Sequence, residues 1–450
     1  MQHPVHRHEI GQRIGAHVRG LMLFFAACAC TVAIAAGQGP AVVHKPSVDV
    51  HAAPDFNSPT VATLKRDEKV EVSGQQGLWF QVAAQGKTGF VRVNDIRMQY
   101  AANAGGNANA LFTGKAGKGR VSETAGVRGI DESDLKSAGY DSAQFAQLES
   151  NRVSPQAAAS DANGKGHQAK QVPYPTEFKP VADAKPKATQ QEKRGGFALA
   201  RGLLSAVGVG APAPANSAMD VAEASQGKSE TEQAAEEAAL GPEIAGRILG
   251  AAKLWDDAEA QARVNRIGRW MASNTSRPDL PWSFGVIDSP EINAFAAPGG
   301  YILVTRGLYA LLDGDDEVAA VIGHELSHVV QRDHYNVIKK QETQSALQNA
   351  ASSNVTVGGG LAGSMAKEYV ARHGATVMLT SLDREAEFRS DEAAQIYLAR
   401  SGYDPLALYA VLQKMTALGN QSGNLAALFK THPPLDARLD RLDRRTVAAH

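Results

Sequence analysis

Between residues 46 and 98, apolar and polar positions alternate in short runs. Val48-Asp49-Val50, Val61–Leu64, Val70-Glu71-Val72 and Phe80-Gln81-Val82 each read as a half-buried strand. Gly74, Gly77, Gly86 and Gly89 fall between or beside them as turns. A small all-β unit is predicted. Further on, Asn293–Ala297 and Tyr301–Val304 read as two short strands joined by a Pro-Gly-Gly turn. The period then changes. Val318–Ile322 continues through Val329-Val330 as one long half-buried helix, with Asp313-Gly314-Asp315-Asp316-Glu317 supplying acidic N-cap candidates. A second, heavily charged helix is predicted over residues 383–394, and Gln341–Thr380, broken at Gly358–Gly363, joins the two. The class is therefore α+β: a mainly helical domain with a small β-sheet, preceded by the all-β unit and a long linker.

The linker is a matter of composition. Residues 100–240 are mostly Ala, Gly, Ser, Gln and Lys without sustained periodicity; 101–118 and 157–194 read as disordered, and 129–153 as one or two short helices. At the other end, residues 1–19 carry Arg7, Arg13 and Arg19 against one acid, Glu9, and an apolar run follows from Leu21 to Ala36. With Ala33-Ile34-Ala35 as a small-x-small cleavage site, residues 1–35 read as a secretory signal, and export, most simply to the periplasm, is expected. Phe25-Ala26-Ala27-Cys28 approximates a lipoprotein signal, which would put a lipid anchor on Cys28. No transmembrane helix is expected in the mature chain. The formal charge of −1 gives no electrostatic case for nucleic-acid binding.

Chemistry concentrates in His324-Glu325-Leu326-Ser327-His328. At helical spacing the two imidazoles lie one turn apart on one face and can share a metal ion, with Glu325 beside them to take a proton from water. A catalytic zinc ordinarily has three protein ligands. The only cysteines, Cys28 and Cys30, lie in the export segment, so the third ligand is His, Asp or Glu. Glu387 is the candidate, and Asp391, four residues on, would hold a ligand histidine by its other ring nitrogen. Glu385, Arg389 and Glu392 read as solvated charges, and His334, six residues past His328, as lying on a different face.

These residues resemble the HtpX-like and CAAX-prenyl-protease-like zinc metallopeptidases, the minigluzincins. That family pairs H-E-x-x-H with a downstream R-x-x-E-x-x-x-D, matched by Arg384, Glu387 and Asp391. It also carries N-A-F-A-x-P-G-G, matched at Asn293–Gly300, and T-H-P-P-x-x-x-R, matched at Thr431–Pro434 and Arg438. The resemblance covers about residues 240–445 and is closest to a soluble periplasmic branch. It implies a zincin-type domain over 241–448 holding one Zn2+ by His324, His328 and Glu387, with Asp391 and Arg384 as supports of that set. It implies Glu325 as general base, and Asn293, Ala294, Phe295 and Ala296 as an edge strand on which an extended polypeptide adds one more strand. His432 is either an oxyanion donor or a removable fourth ligand that keeps the enzyme latent; a surface histidine is the third option. Residues 46–98 resemble a bacterial SH3-type domain, which implies cell-wall peptides, hence peptidoglycan, as a ligand; Trp79 is either core or a binding platform. Together these imply an exported zinc endopeptidase acting on unfolded or damaged envelope proteins. The alternative is a largely latent protease serving as an envelope binding or chaperone-like protein.

Overall fold

The computed structural model describes residues 38–99, 130, 132–180, 229–351, 364–380, 382–418, 425, 428 and 431–448. The expected signal, Cys28, most of the low-complexity stretches and the Gly358–Gly363 break lie outside these residues.

Seven strands come first: β1 (Gly39–Val43), β2 (Ser47–His51), β3 (Thr60–Lys65), β4 (Lys69–Gln76), β5 (Trp79–Ala84), β6 (Lys87–Arg92) and β7 (Ile96–Met98). They form one sheet in the order β3-β2-β6-β5-β4-β1-β7, with every pair antiparallel. The alternation in the sequence is the alternation of burial: Val48, Val50, Val70 and Val72 point inward while Asp49 and Glu71 are exposed. β1 lies before the predicted start at residue 46 and pairs with both β4 and β7. Its Gly-Pro-Ala-Val-Val sequence is too short to show a period.

The second half runs α1 (Glu132–Ser137), α2 (Ser142–Ser150), α3 (Pro155–Gly164), α4 (Glu230–Ala251), α5 (Ala258–Ser273), β8 (Ser283–Ile287), β9 (Ala294–Ala297), β10 (Tyr301–Thr305), α6 (Arg306–Tyr309), α7 (Asp315–Val330), α8 (Asp333–Ala351), α9 (Ser364–His373), a 3-10 turn (Thr376–Leu379), α10 (Arg384–Ser401), α11 (Ala407–Leu418) and α12 (Leu435–Ala448). The small sheet has the order β8-β10-β9, with β8 parallel and β9 antiparallel to β10, so β9 is an edge. None of the described helices is long and apolar enough to cross a membrane.

Two sequence expectations change here. The stretch read as disordered from residue 157 contains α3, capped by Ser154 with Pro155 in its first turn. Its face of Ala158 and Ala162 is buried, and the chain beyond is tied to α10: Lys170 N–H donates to Arg400 O, and Arg400 pairs with Glu177 at 2.8 Å. Small alanines and main-chain bonds leave no hydrophobic period to read. The expected boundary at residue 240/241 likewise falls inside α4, whose Ser229 and Glu232 form a reciprocal capping box and whose Leu240 is buried.

Helix α7 is buried along nearly its whole length, from Glu317 to Val330. Its cap is Gly314, with no side-chain cap bond, rather than an acid. Asp315, Asp316 and Glu317 instead occupy the first turn, where negative charge favours the helix dipole. Gly323 lets α7 and α10 approach closely: a Cβ there would lie 3.4 Å from the Ala394 Cα. That approach brings Glu387 of α10 beside the histidines of α7.

Candidate metal centre

His324 and His328 project from α7, Glu387 from α10, and His432 from the turn before α12. One ligand atom from each of these four lies within 4.8 Å of the other three. All are withdrawn from solvent, His432 least so at 12% side-chain exposure.

Each imidazole is oriented from behind. His324 Nδ1 faces Asp391 Oδ1 at 3.0 Å, His328 Nδ1 faces Asp333 Oδ2 at 2.9 Å, and His432 Nδ1 lies 2.8 Å from Thr431 Oγ1. With the proton of His324 and of His328 held on Nδ1 by a carboxylate, each Nε2 presents a lone pair to the centre. The two Nε2 atoms are 3.2 Å apart. Glu387 Oε2 is 3.6 Å from His324 Nε2 and 3.6 Å from His432 Nε2, and Oε1 is 3.7 Å from His328 Nε2. Glu387 Oε2 is buried without a hydrogen-bond partner.

Two lone pairs and a bare carboxylate oxygen converging in a buried site repel one another unless a cation sits between them. Ligands at about 2.1 Å from a tetrahedral ion are about 3.4 Å from each other, which is the spacing found here. The residues fit a divalent cation with nitrogen and oxygen ligands.

Burial and Arg438 lower His324, but Asp391 and Glu387 outweigh them and hold it up at about 9, so a cation at the centre competes with a proton for its Nε2. Burial alone would raise Glu387, but His432, His324 and His328 hold its carboxyl far below the ordinary range. Burial raises Glu325 above that range; His328 and His324 oppose the rise, and Glu387 adds to it. Burial opposes ionisation of Asp391 as well, yet Arg438 wins and holds it at about 2. Burial pushes His432 down to about 3.

Glu325 lines the cavity in front of the histidines together with Asn293, Ala294, Phe295 and Ala296, and Met378 and Thr380 close its far side. Strand β9 thus borders the site, and Asn293 Oδ1 is buried without a partner. Met378 belongs to the segment 341–380 that joins the two ligand-bearing helices.

Several placements differ from expectation. Arg384 is exposed in the first turn of α10 and makes no ion pair or hydrogen bond with the cluster. The cation that does so is Arg438 of α12. Its Nε donates to Asp391 Oδ2 at 2.9 Å, its Nη2 to Asp391 Oδ1 at 2.5 Å, and Nη2 is 3.3 Å from His324 Nδ1. Arg384 sits at the start of its helix, whereas Arg438 arrives from another element that spacing does not reveal. Arg389 is not a solvated charge, since it donates to Asp333 Oδ1 at 2.5 Å. Ser390 Oγ lies 3.2 Å from His328 Nδ1 and 3.1 Å from Ser327 Oγ. His334 is buried on the cavity wall with a ring nitrogen on the Ala296 carbonyl, and burial pushes it down to about 4. It gets there because Arg332, at φ 63°, breaks the helix before it. Straight helical periodicity placed it wrongly for that reason, and the same break carries Asp333 back to His328.

Residues 258–446 match the model of peptidase family M48, and residues 46–96 match the bacterial SH3 domain. The beta-barrel assembly-enhancing protease of Escherichia coli K12 is 27% identical over 241 residues, 53% of this chain and 50% of that protein. The mitochondrial metalloendopeptidase OMA1 of Schizosaccharomyces pombe is 27% identical over 180 residues, 40% of this chain and 51% of that one. Metalloprotease LoiP of Escherichia coli K12 is 26% identical over 192 residues, 43% of this chain and 73% of that one. The chain spans about half the length of the first of these relatives. The C-terminal part of this chain is thus similar to the peptidases of family M48, and the stretch ahead of it to bacterial SH3 domains.

Proposed function

We propose that this chain is an exported zinc-dependent endopeptidase that hydrolyses peptide bonds of unfolded or damaged envelope proteins. The observation that carries the reading is the pair of inward-facing imidazole lone pairs beside the unpartnered Glu387 oxygen. His324, His328 and Glu387 would hold the ion, and zinc is the metal that suits two imidazoles and a carboxylate. When bound, zinc supplies Lewis acidity, which brings the pKa of water toward neutrality and polarises a carbonyl.

The remaining work falls to the chain's own residues. Glu325 Oε takes the proton from the attacking water and delivers it to the leaving amine. Its raised pKa suits a base that must also act as an acid. Asp391, gripped by Arg438, and Asp333, gripped by Arg389, keep the two ligand rings in one orientation. Strand β9, as the edge of the small sheet that borders the cavity, pairs with an extended substrate by main-chain bonds, which asks for an unfolded segment and little sequence. An envelope substrate is supported by the name of the Escherichia coli assembly-enhancing relative, and export by the Arg-rich, then apolar, N-terminus. The SH3 domain supports attachment to cell-wall peptides. There Phe56 is 67% exposed, its ring 4.7 Å from the largely buried Trp79, with the Arg92 guanidinium over both. The platform is thus Phe56, with Trp79 beneath it.

The position of His432 Nε2, 3.6 Å from Glu387 Oε2, favours a second reading in which His432 occupies the ion and keeps the enzyme latent. The test is casein digestion by the full mature chain and by His432→Ala, with and without a chelator. Chelator-sensitive cleavage that rises in His432→Ala supports latency; cleavage that falls supports an oxyanion donor. Cleavage indifferent to chelation in both would contradict the proposed function.

A further inference from the structure

Helix α7, which carries His324 and His328, ends at a cluster of buried charges. Arg332 there has φ 63°, a left-handed conformation that arginine rarely adopts. Helix α4 supplies its partners. Arg332 Nε donates to Glu237 Oε2 at 2.6 Å, and its Nη1 and Nη2 donate to the two Glu230 oxygens at 2.7 and 2.5 Å. A second arginine, Arg277, grips both Glu237 oxygens at 3.0 and 2.7 Å. Its Nη1 also donates to Val329 O, in the last turn of α7, at 2.9 Å. The Phe178 ring lies against both guanidinium groups, 5.8 Å from that of Arg277 and 4.7 Å from that of Arg332. Arg277, Arg332 and Glu237 are each at most 5% exposed.

The residue after the break is Asp333, the first of α8. Its carboxylate faces His328 Nδ1 at 2.9 Å while accepting from Arg389 of α10. One left-handed residue thus separates the charge cluster from the carboxylate that orients a ligand ring. Compared with apolar packing, a buried charge cluster contributes little net stability, but its planar forks admit a narrow geometry. Glu230 and Glu237 precede residues 258–446, so this grip comes from outside the stretch similar to the M48 peptidases.

We propose that Arg332, held by Glu230 and Glu237, is a positioning residue of the metal centre. It fixes the turn that delivers the Asp333 carboxylate to His328 Nδ1, which makes helix α4 part of the apparatus that holds the ion. The inference rests on the proposed peptidase site, in which His328 is a metal ligand. Arg332→Gly separates the two contributions of this residue: its backbone accepts the left-handed conformation freely, while every ion pair is lost.

The experiment measures zinc affinity by chelator competition, and the visible spectrum of the cobalt-substituted protein, on the full chain and its variants. Asp333→Ala is expected to weaken zinc binding about ten-fold or more, the ordinary cost of removing a group that orients a ligand imidazole. Arg332→Gly is expected to weaken it about ten-fold and to shift the cobalt bands in the same direction as Asp333→Ala. The double variant is expected to match Asp333→Ala within about two-fold, because the arginine acts through the aspartate. A merely structural loss would add to that of the aspartate, and such additivity overturns the inference. An Arg332→Gly chain with wild-type zinc affinity and cobalt spectrum overturns it as well. If Arg332→Gly does not fold, Glu230→Gln takes its place, at a side chain 21% exposed. A loss of about three-fold that disappears in combination with Asp333→Ala then supports the proposal. Wild-type affinity in Glu230→Gln, or a loss that persists in the combination, overturns it. A wild-type chain that binds no zinc contradicts the proposed site itself and removes the inference with it.

Discussion

Asp391 and Asp333 do the same job on different histidines, and each is held by its own arginine. Asp391 is the more deeply committed, because Arg438 keeps it ionised inside the protein at about 2. Its folded pKa is thus below the value of about 3.9 expected in the unfolded chain. A depressed carboxyl contributes stability that is present above the unfolded pKa and is lost as pH falls through the folded one. The stability difference between wild type and Asp391→Asn is therefore expected to be full above about pH 4 and to shrink toward pH 2. Denaturant titrations of the metal-free proteins at several pH values check this; a difference constant across that window would remove Arg438 as the cause. At this scale the sequence was informative about ligands and poor about their supports. His324 and His328 are paired by their spacing on one helix, and Glu387 with Asp391 by theirs on another. Asp333, Arg389 and Arg438 are not, since their contacts cross between elements or follow a helix break at Arg332.

Helices α7 and α10 meet where neither has a bulky residue, and the grouping of Glu387 with His324 and His328 depends on that approach. Gly323 is the point of contact: a methyl group on its Cα would stand 3.1 Å from Met271 Cε and 3.4 Å from Ala394 Cα. Gly323→Val is expected to cost about 1–3 kcal/mol of stability by overpacking and to weaken metal affinity in step. Thermal melts with zinc titration read both; a variant as stable as wild type with full zinc affinity would show that the helices can part without moving Glu387. The turn before β10 is a second such place. Gly299 has φ 78° and sits where a Cβ would be 2.9 Å from Glu237 O of α4, so Gly299→Val is expected to destabilise the chain by about 2 kcal/mol or more. Strands and helices with strong periods were visible in the sequence at this scale. Helix α3 was not, because its buried face is alanine.

On the scale of the molecule, the sheet of β1–β7 and the helical domain share α11: buried Gln413 accepts Met98 N–H at 3.0 Å and donates to Ile96 O at 2.5 Å, and Arg97 lies over the Tyr409 ring. Residues 38–99 should therefore not behave as a tethered module. Calorimetry of the full chain is expected to show the SH3 domain and the catalytic domain unfolding in one transition, and Arg97→Ala to broaden or split it. Two well-separated transitions in the wild type would contradict that coupling. Composition and motif order suggest two units in the sequence, but their contact is illegible there. Gln413 and Lys414 look like surface polar residues until the sheet is placed against them.

In the proposed function, His324, His328 and Glu387 hold a catalytic zinc for which Glu325 is the base. Zinc content and casein cleavage, measured on the same preparations of wild type, Glu325→Gln and His328→Ala, test that assignment. About one zinc per chain with cleavage is expected in the wild type, zinc without cleavage in Glu325→Gln, and neither in His328→Ala. Cleavage retained by Glu325→Gln, or full zinc retained by His328→Ala, would contradict it.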